Sequence, residues 1–305
     1  MIRVKGPTKS SAAPVAAELS EQERRALITL LADEDPYVYE RVREKIVASG
    51  PGAVQWLKPH LVSSDPLVRR RARAITQLFE RHIADNDFTL FCLTSGNDLD
   101  LEYGALLLSR TAYPDVNIHG YSALLDNYAA ELRSRLAHTT TAGEILMCLR
   151  KYVFGELRFV GNRENEMDRR NGYLSRVMDR RIGNSITLCT LYLVLARRLN
   201  LPVTGIALPW HFLCRYQNSS VEVYIDAFDR GKLLSKAECA RFLVWPGQKS
   251  SEWSLSPVST RQMLLRMCTN LYQMHIVSRD SEEAKRLMRY VVALSKQAHR
   301  TSQEV

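Results

Sequence analysis

The chain has 305 residues, 46% of them hydrophobic and 25% charged, the proportions of an ordinary globular protein with room for one large domain or two smaller ones. Its apolar runs, such as Leu191–Ala196, are far too short to span a bilayer. Its six cysteines are scattered, with no C-x-x-C pair and no Cys/His spacing of a zinc site, which excludes a disulfide scaffold and a zinc module. A net charge of +9, with clusters at Arg69–Arg70–Arg71 and Arg180–Arg181, invites a polyanionic partner, but no nucleic-acid motif accompanies it and solvated helix faces account for it.

The first residues, up to about 19, are polar and basic and then rich in Ser, Pro and Ala, without the apolar stretch of a signal peptide. They read as a disordered leader, and the protein is expected in the cytoplasm. Between residues 20 and 80 an Asp-Pro pair recurs at 30-residue spacing, Asp35–Pro36 and Asp65–Pro66. Asp caps a helix and Pro suits its first turn. Apolar or small residues succeed each pair at helical spacing, Val38, Val42 and Ile46 after the first and Val68, Ala72 and Ile75 after the second. The pattern resembles HEAT-like helix pairs. Further helices are expected within 103–110, 121–137 and 142–154. No Gly/Ser linker separates these helices from the residues beyond 155, so a shared core is expected.

Residues 156–184 turn polar and loop-like, with Gly161–Asn162, Asn171–Gly172 and Gly183–Asn184. A strongly apolar helix is then expected over 186–199, ended by Leu201–Pro202. Three short strands come next, Val203–Leu208, His211–Tyr216 and Val221–Ile225, the last two joined by a turn at Asn218–Ser219–Ser220. Ser235 and Glu238 form a capping-box pattern. After a loop to about residue 258, helices over 261–277 and 281–295 form a hairpin that faintly resembles a tetratricopeptide unit.

The helix-then-sheet block holds the chemistry. Ser185 stands where the apolar helix begins, His211 at the start of the second strand and Asp226 at the end of the third. A nucleophile at a helix start gains from the dipole and the free N–H groups there. A histidine on a neighbouring strand can serve as its base, and a carboxylate on the next can orient that histidine. The same residues have plainer readings: Ser185 as a helix cap, His211 as a satisfied half-buried histidine, Asp226 as the cap of the loop 227–231.

The run Arg181–Ile182–Gly183–Asn184–Ser185, with Asn200–Leu201–Pro202 fifteen residues on, resembles the transglutaminase-like (papain-like) core, in which a Gly-x-Cys opens the helix. The resemblance puts Ser185 at the position of the catalytic cysteine and matches His211 and Asp226 to the other two members. A closer resemblance, strongest over about 156–235, is to the SirB family of bacterial transglutaminase-like proteins. It rests on Phe159–x–Gly161–Asn162, Asn171–x–Tyr173–Leu174, Arg181–x–Gly183, Leu188–x–x–Leu191–Tyr192, Pro209–x–His211–Phe212–Leu213 and Ile225–Asp226–x–Phe228. Asp226–Ala227–Phe228 replaces an Asp-Pro-Phe pattern, and Asn200 stands for a glycine. The resemblance implies an α+β, predominantly helical protein: a disordered leader (1–19), a HEAT-like region (20–155), a transglutaminase-like core (156–258) of one central helix and a small antiparallel sheet, and a tetratricopeptide-like tail (259–305).

Cys189 lies one turn deeper than Ser185 among leucines, and Cys214 faces away from His211 by the strand alternation, so both read as core. Arg180, Arg181, Asn162 and Asn171 line the cleft or brace its loops, and Asn184 is a candidate donor to an oxyanion. The leading expectation is a module that binds a protein or peptide, with the thiol chemistry lost. The alternative is a hydrolase or acyltransferase using Ser185, His211 and Asp226, and a third is a nucleic-acid-associated protein. No cofactor, metal or membrane partner is implied.

Overall fold

The computed structural model describes residues 19–94, 99–240, 242 and 255–301. The expected leader, apart from Leu19, and most of the loop before residue 258 lie outside the described residues. No helix among the described residues is long and apolar enough to cross a membrane. The chain divides into two compact units, one up to Ile83 and one from Ala84 onward.

The first unit contains α1 (Glu21–Leu30), α2 (Pro36–Ala48), the short α3 (Ala53–Leu57) and the start of α4 (Pro66–Thr94). The Asp-Pro pairs act as read from the sequence. Asp35 accepts from the Tyr37 N–H at 2.8 Å and Asp65 from the Leu67 N–H at 2.7 Å, each at a helix start with Pro in the first turn. Val42, Ile46, Leu57, Val68, Ala72 and Ile75 are buried together in a core of this unit's own. In the arginine cluster, Arg71 is buried. Its guanidinium lies 4.4 Å over the Tyr39 ring and donates to the carbonyls of Leu31 and Asp33. That residue is a strut and is unavailable to a polyanion.

The second unit begins with the rest of α4 and continues with α5 (Leu101–Ala112), α6 (Ile118–Leu136) and α7 (Ala142–Arg150), which ends in a π-turn over Lys151–Glu156. Two residues of β1 (Val160–Gly161) pair in parallel with β2 (Ile182–Gly183), with α8 (Leu174–Arg180) between them. Then come α9 (Ser185–Arg198), β3 (Val203–Leu208), β4 (His211–Gln217), β5 (Glu222–Asp226), β6 (Lys232–Leu234), α10 (Lys236–Ala240), β7 (Pro257–Val258), α11 (Thr260–Val277) and α12 (Ser281–Thr301). Strands β3–β7 form one antiparallel sheet in the order β6-β5-β4-β3-β7.

Helix α9 is buried from Ile186 to Ala196 without a break, as an all-round apolar helix must be. It lies among α5, α6, α8, α11 and the β3–β4 hairpin. Each fully buried Leu or Ile contributes about 1.5–3 kcal/mol, so this helix anchors the core. At its end Leu199 closes the last turn, and Asn200 takes a left-handed φ of 56° that asparagine tolerates.

A second anchor is polar. Arg286 on α12 is buried and holds Asp85 of α4 at 3.0 Å, the Tyr290 hydroxyl at 3.1 Å and the Thr111 carbonyl of α5 at 3.3 Å. Tyr290 donates to the same Asp85 carboxylate, and Glu283 takes the other end of the guanidinium. Asp85 is also buried. Each charge thus has several partners, which is what burial of an ion pair requires.

Candidate functional site

The β4–β5 register builds half of the site. Cys214 pairs with Ile225; one step further sets Asp226 across from Leu213, with His211 on the diagonal of the same sheet face. His211 Nε2 lies 3.0 Å from Asp226 Oδ2, within ion-pair range but off the line of a hydrogen bond. The other carboxylate oxygen accepts from the N–H groups of Phe228 at 3.0 Å and Asp229 at 3.2 Å, so Asp226 is held by its own loop. The imidazole sits edge-on to Phe228 (5.9 Å, 87°) and stacks on Phe242 (5.4 Å, 8°). These contacts fix the ring plane, with Nε2 toward Asp226 and Nδ1 on the other side.

Helix α9 supplies the other half. Its cap is Asn184, whose Oδ1 accepts from the Thr187 N–H at 3.0 Å. Ser185 is therefore the first helical residue, half-buried, with no capping duty, and the helix start leaves its N–H and that of Ile186 outside the intrahelical ladder. This differs from the plainer reading of Ser185 as the cap. The Asn184 Nδ2 group has no hydrogen-bond partner among the described residues.

Ser185, Asn184, His211 and Phe228 line one cleft of about 280 Å³. The loop between β1 and α8 adds Asn162, Glu166, Met167 and Asn171, the β3–β4 turn adds Trp210, and α11 adds Asn270, Gln273 and Met274. Asn162 and Asn171 are braces: Asn162 Nδ2 donates to Asn171 Oδ1 at 3.1 Å, Asn171 Nδ2 to the Asn165 carbonyl at 2.9 Å, and the Asn184 N–H to the Asn171 carbonyl at 3.2 Å. Arg180 pairs with Asp168 at 2.9 Å, and Arg181 stacks over Phe159 at 4.6 Å while donating to the Tyr128 hydroxyl at 2.6 Å. Both arginines hold loops; neither lines the cleft.

Both thiols weighed as substitutes are core residues. Cys189 is fully buried, and burial pushes its thiol well above the usual range, with the neighbouring Cys214 thiol adding to the rise. Cys214 is equally buried, on the sheet face opposite His211. The sequence reading missed the α11 wall, although Asn270, Gln273 and Met274 recur at helical spacing among apolar neighbours, and it missed Glu166 and Met167. His275, on the same helix, meets two charged groups. Its Nδ1 lies 3.0 Å from Asp280 and 3.2 Å from Arg169, tying the cleft loop to the end of α11. Burial holds His275 below the usual histidine range.

The resembling motifs meet in space. A Cβ on Gly161 would lie 2.4 Å from the Phe228 ring, and the Gly161 N–H donates to the Phe228 carbonyl at 3.1 Å. Gly161→Ala must push Phe228 off the His211 ring and strain the Asp226 loop. The expected result is a loss of about 1–3 kcal/mol in urea unfolding; a variant as stable as the wild type would show that this packing is slack.

Residues 119–269 match a family model described as the transglutaminase-like superfamily. The chain is 30% identical over 194 residues to a UPF0162 protein of Xylella fastidiosa strain 9a5c, covering 62% of this chain and 69% of that one. It is 32% identical over 183 residues to a UPF0162 protein of strain Temecula1, covering 58% and 65%. Over 136 residues it is 32% identical to the human F-box only protein 21, covering 42% of this chain and 21% of that protein. The matched stretch is thus about two thirds of each Xylella protein and a fifth of the human one. No solved structure matches.

Proposed function

The chain belongs to the UPF0162 family and carries a transglutaminase-like domain, and on that premise we propose that its cleft binds a peptide or protein segment without thiol chemistry. The observation that carries this reading is the cleft itself. Ser185 stands at the head of α9, in the position that the resemblance gives to cysteine, and the thiols nearest to it in the chain and on β4 are sealed in the core. A serine hydroxyl does not ionise at a helix start as a thiol does. The amides of Asn184, Asn270 and Gln273 suit the main chain of an extended segment. In this reading the protein is a regulatory binding module of the SirB type, working in the cytoplasm.

A second reading is favoured by one distance, the 3.0 Å between His211 and Asp226. Here Ser185 Oγ attacks an acyl carbon of an ester or amide while His211 takes the hydroxyl proton. The Ser185 N–H and Asn184 Nδ2 receive the oxyanion. His211 then gives its proton to the leaving group, and water cleaves the acyl-serine to free acid. A fluorophosphonate probe followed by intact-mass analysis separates the two. The binding reading expects no adduct on the folded protein. An adduct on Ser185 that disappears in His211→Ala would overturn it in favour of the hydrolase.

A further inference from the structure

Although the chain carries a net charge of +9, no lysine or arginine among the described residues lines the cleft. The ionisable groups among those described lining residues are Glu166 and His211, with Asp226 behind the histidine. The arginines on the same loop are each committed to a carboxylate, Arg163 to Asp229 at 2.8 Å, Arg169 to Asp280 at 3.0 Å and Arg170 to Asp168 at 2.9 Å. Glu166 forms no ion pair among the described residues and stands exposed at the rim. The described lining thus offers a polyanion no cation and holds one uncommitted negative charge, Glu166.

Trp210 is the second observation. It occupies the two-residue turn between β3 and β4 at a φ of +58°, and 83% of it is exposed. A bulky residue in the left-handed region costs about 1–2 kcal/mol, and an exposed indole returns none of that to the fold. The turn after Pro209 needs a left-handed residue, which glycine would supply without that cost, and strained residues cluster at ligand sites. Tryptophan offers the best ring face for a cation. Met167, half-exposed beside Glu166 in the chain, adds apolar surface for the methylene stem of a long basic side chain.

We infer that the mouth of this cleft is a subsite for a lysine or arginine side chain of the bound segment, whose charge faces Glu166 and the ring of Trp210. The inference rests on the peptide-binding reading and adds to it the chemistry of the residue selected. The α11 amides of Asn270 and Gln273, just beyond the matched residues 119–269, hold the neighbouring main chain.

The test uses the full chain and pools of doubly capped pentapeptides, fluorescein-labelled, whose central residue is fixed as arginine, its neutral isostere citrulline, or glutamate. Binding is read by anisotropy for the wild type, Glu166→Gln, Trp210→Gly and Gln273→Trp, the last on an exposed position where the ring plugs the cleft. The arginine pool should bind about fivefold to tenfold tighter than the citrulline pool, and Glu166→Gln and Trp210→Gly should each remove about threefold to fivefold of that preference. Trp210→Gly should unfold at or above the wild-type temperature, because glycine suits a φ of +58°, so a lost preference is not a lost fold. Equal binding of all pools, abolished by Gln273→Trp, would leave the cleft a peptide site and overturn the cationic subsite. An arginine preference untouched by Glu166→Gln, Trp210→Gly and Gln273→Trp would place it elsewhere on the surface and also overturn it. No binding by any pool would remove the peptide-binding reading and the subsite with it.

Discussion

Ser185→Cys, made in a Cys148→Ser background, is expected to give a thiol that iodoacetamide alkylates at pH 6 about tenfold or more faster than the same variant carrying His211→Ala. The position begins a 14-residue helix whose cap is the neighbouring Asn184, and it shares its cleft with His211. An ordinary thiol, with a pKa near 8.5, is almost wholly protonated at pH 6. A helix start and an imidazolium together bring cysteines to about 3.5–7.5, which converts a trace of thiolate into a large fraction. Lower basicity reduces intrinsic nucleophilicity and takes back part of the gain. The background substitution is needed because Cys148 is half-exposed; the other native thiols are buried, and burial pushes Cys92 up to about 12 and Cys239 to about 11. The measurement is the alkylation rate by intact mass between pH 5 and 8. A rate that falls tenfold per unit below pH 8, as for a free thiol, would show that His211 and the helix start do not act on this position. The result bears on the cleft's electrostatics whichever reading of the wild-type function holds.

Arg286→Ala should cost about 3–5 kcal/mol, the loss typical of a buried ion pair broken on one side. The truncation leaves Asp85 buried with Tyr290 and the more distant, exposed Arg289. It also takes one partner each from the Thr111 carbonyl and the Glu283 carboxylate. For a unit of this size the loss corresponds to a fall in Tm of roughly 10 °C. The double variant Asp85→Ala/Arg286→Ala should be less damaged than the sum of the two single variants, since removing both charges strands neither. Calorimetry of the four proteins gives the coupling; strict additivity would show that the two side chains are not energetically linked.

Much of this fold could be read along the chain, and the reasons differ by element. Helix α9 announced itself by an apolar run closed by Asn200–Leu201–Pro202, and β3, β4 and β5 fell within a residue or two of their expected bounds because a turn at Asn218 separates them. Two-residue strands such as β1, β2 and β7 carry no period to detect. The 29 residues of α4 were longer than the Asp-Pro repeat implied, since nothing between Pro66 and Thr94 breaks a helix. At the site, Ser185, His211 and Asp226 stood out by their places at element ends, and the register brings His211 and Asp226 together. The α11 wall was legible only as a helix face at 270, 273 and 274, and a polar face looks the same whether it meets solvent or a cleft. Asn184 as cap was hidden by its neighbour, an equally good capping residue.

That assignment of the cap to Asn184 has a consequence for descent. Because the neighbour secures the helix, position 185 carries no structural obligation, and serine and cysteine are nearly the same size. A single base change interconverts them, so a lineage can discard or regain a thiol here without disturbing its folding.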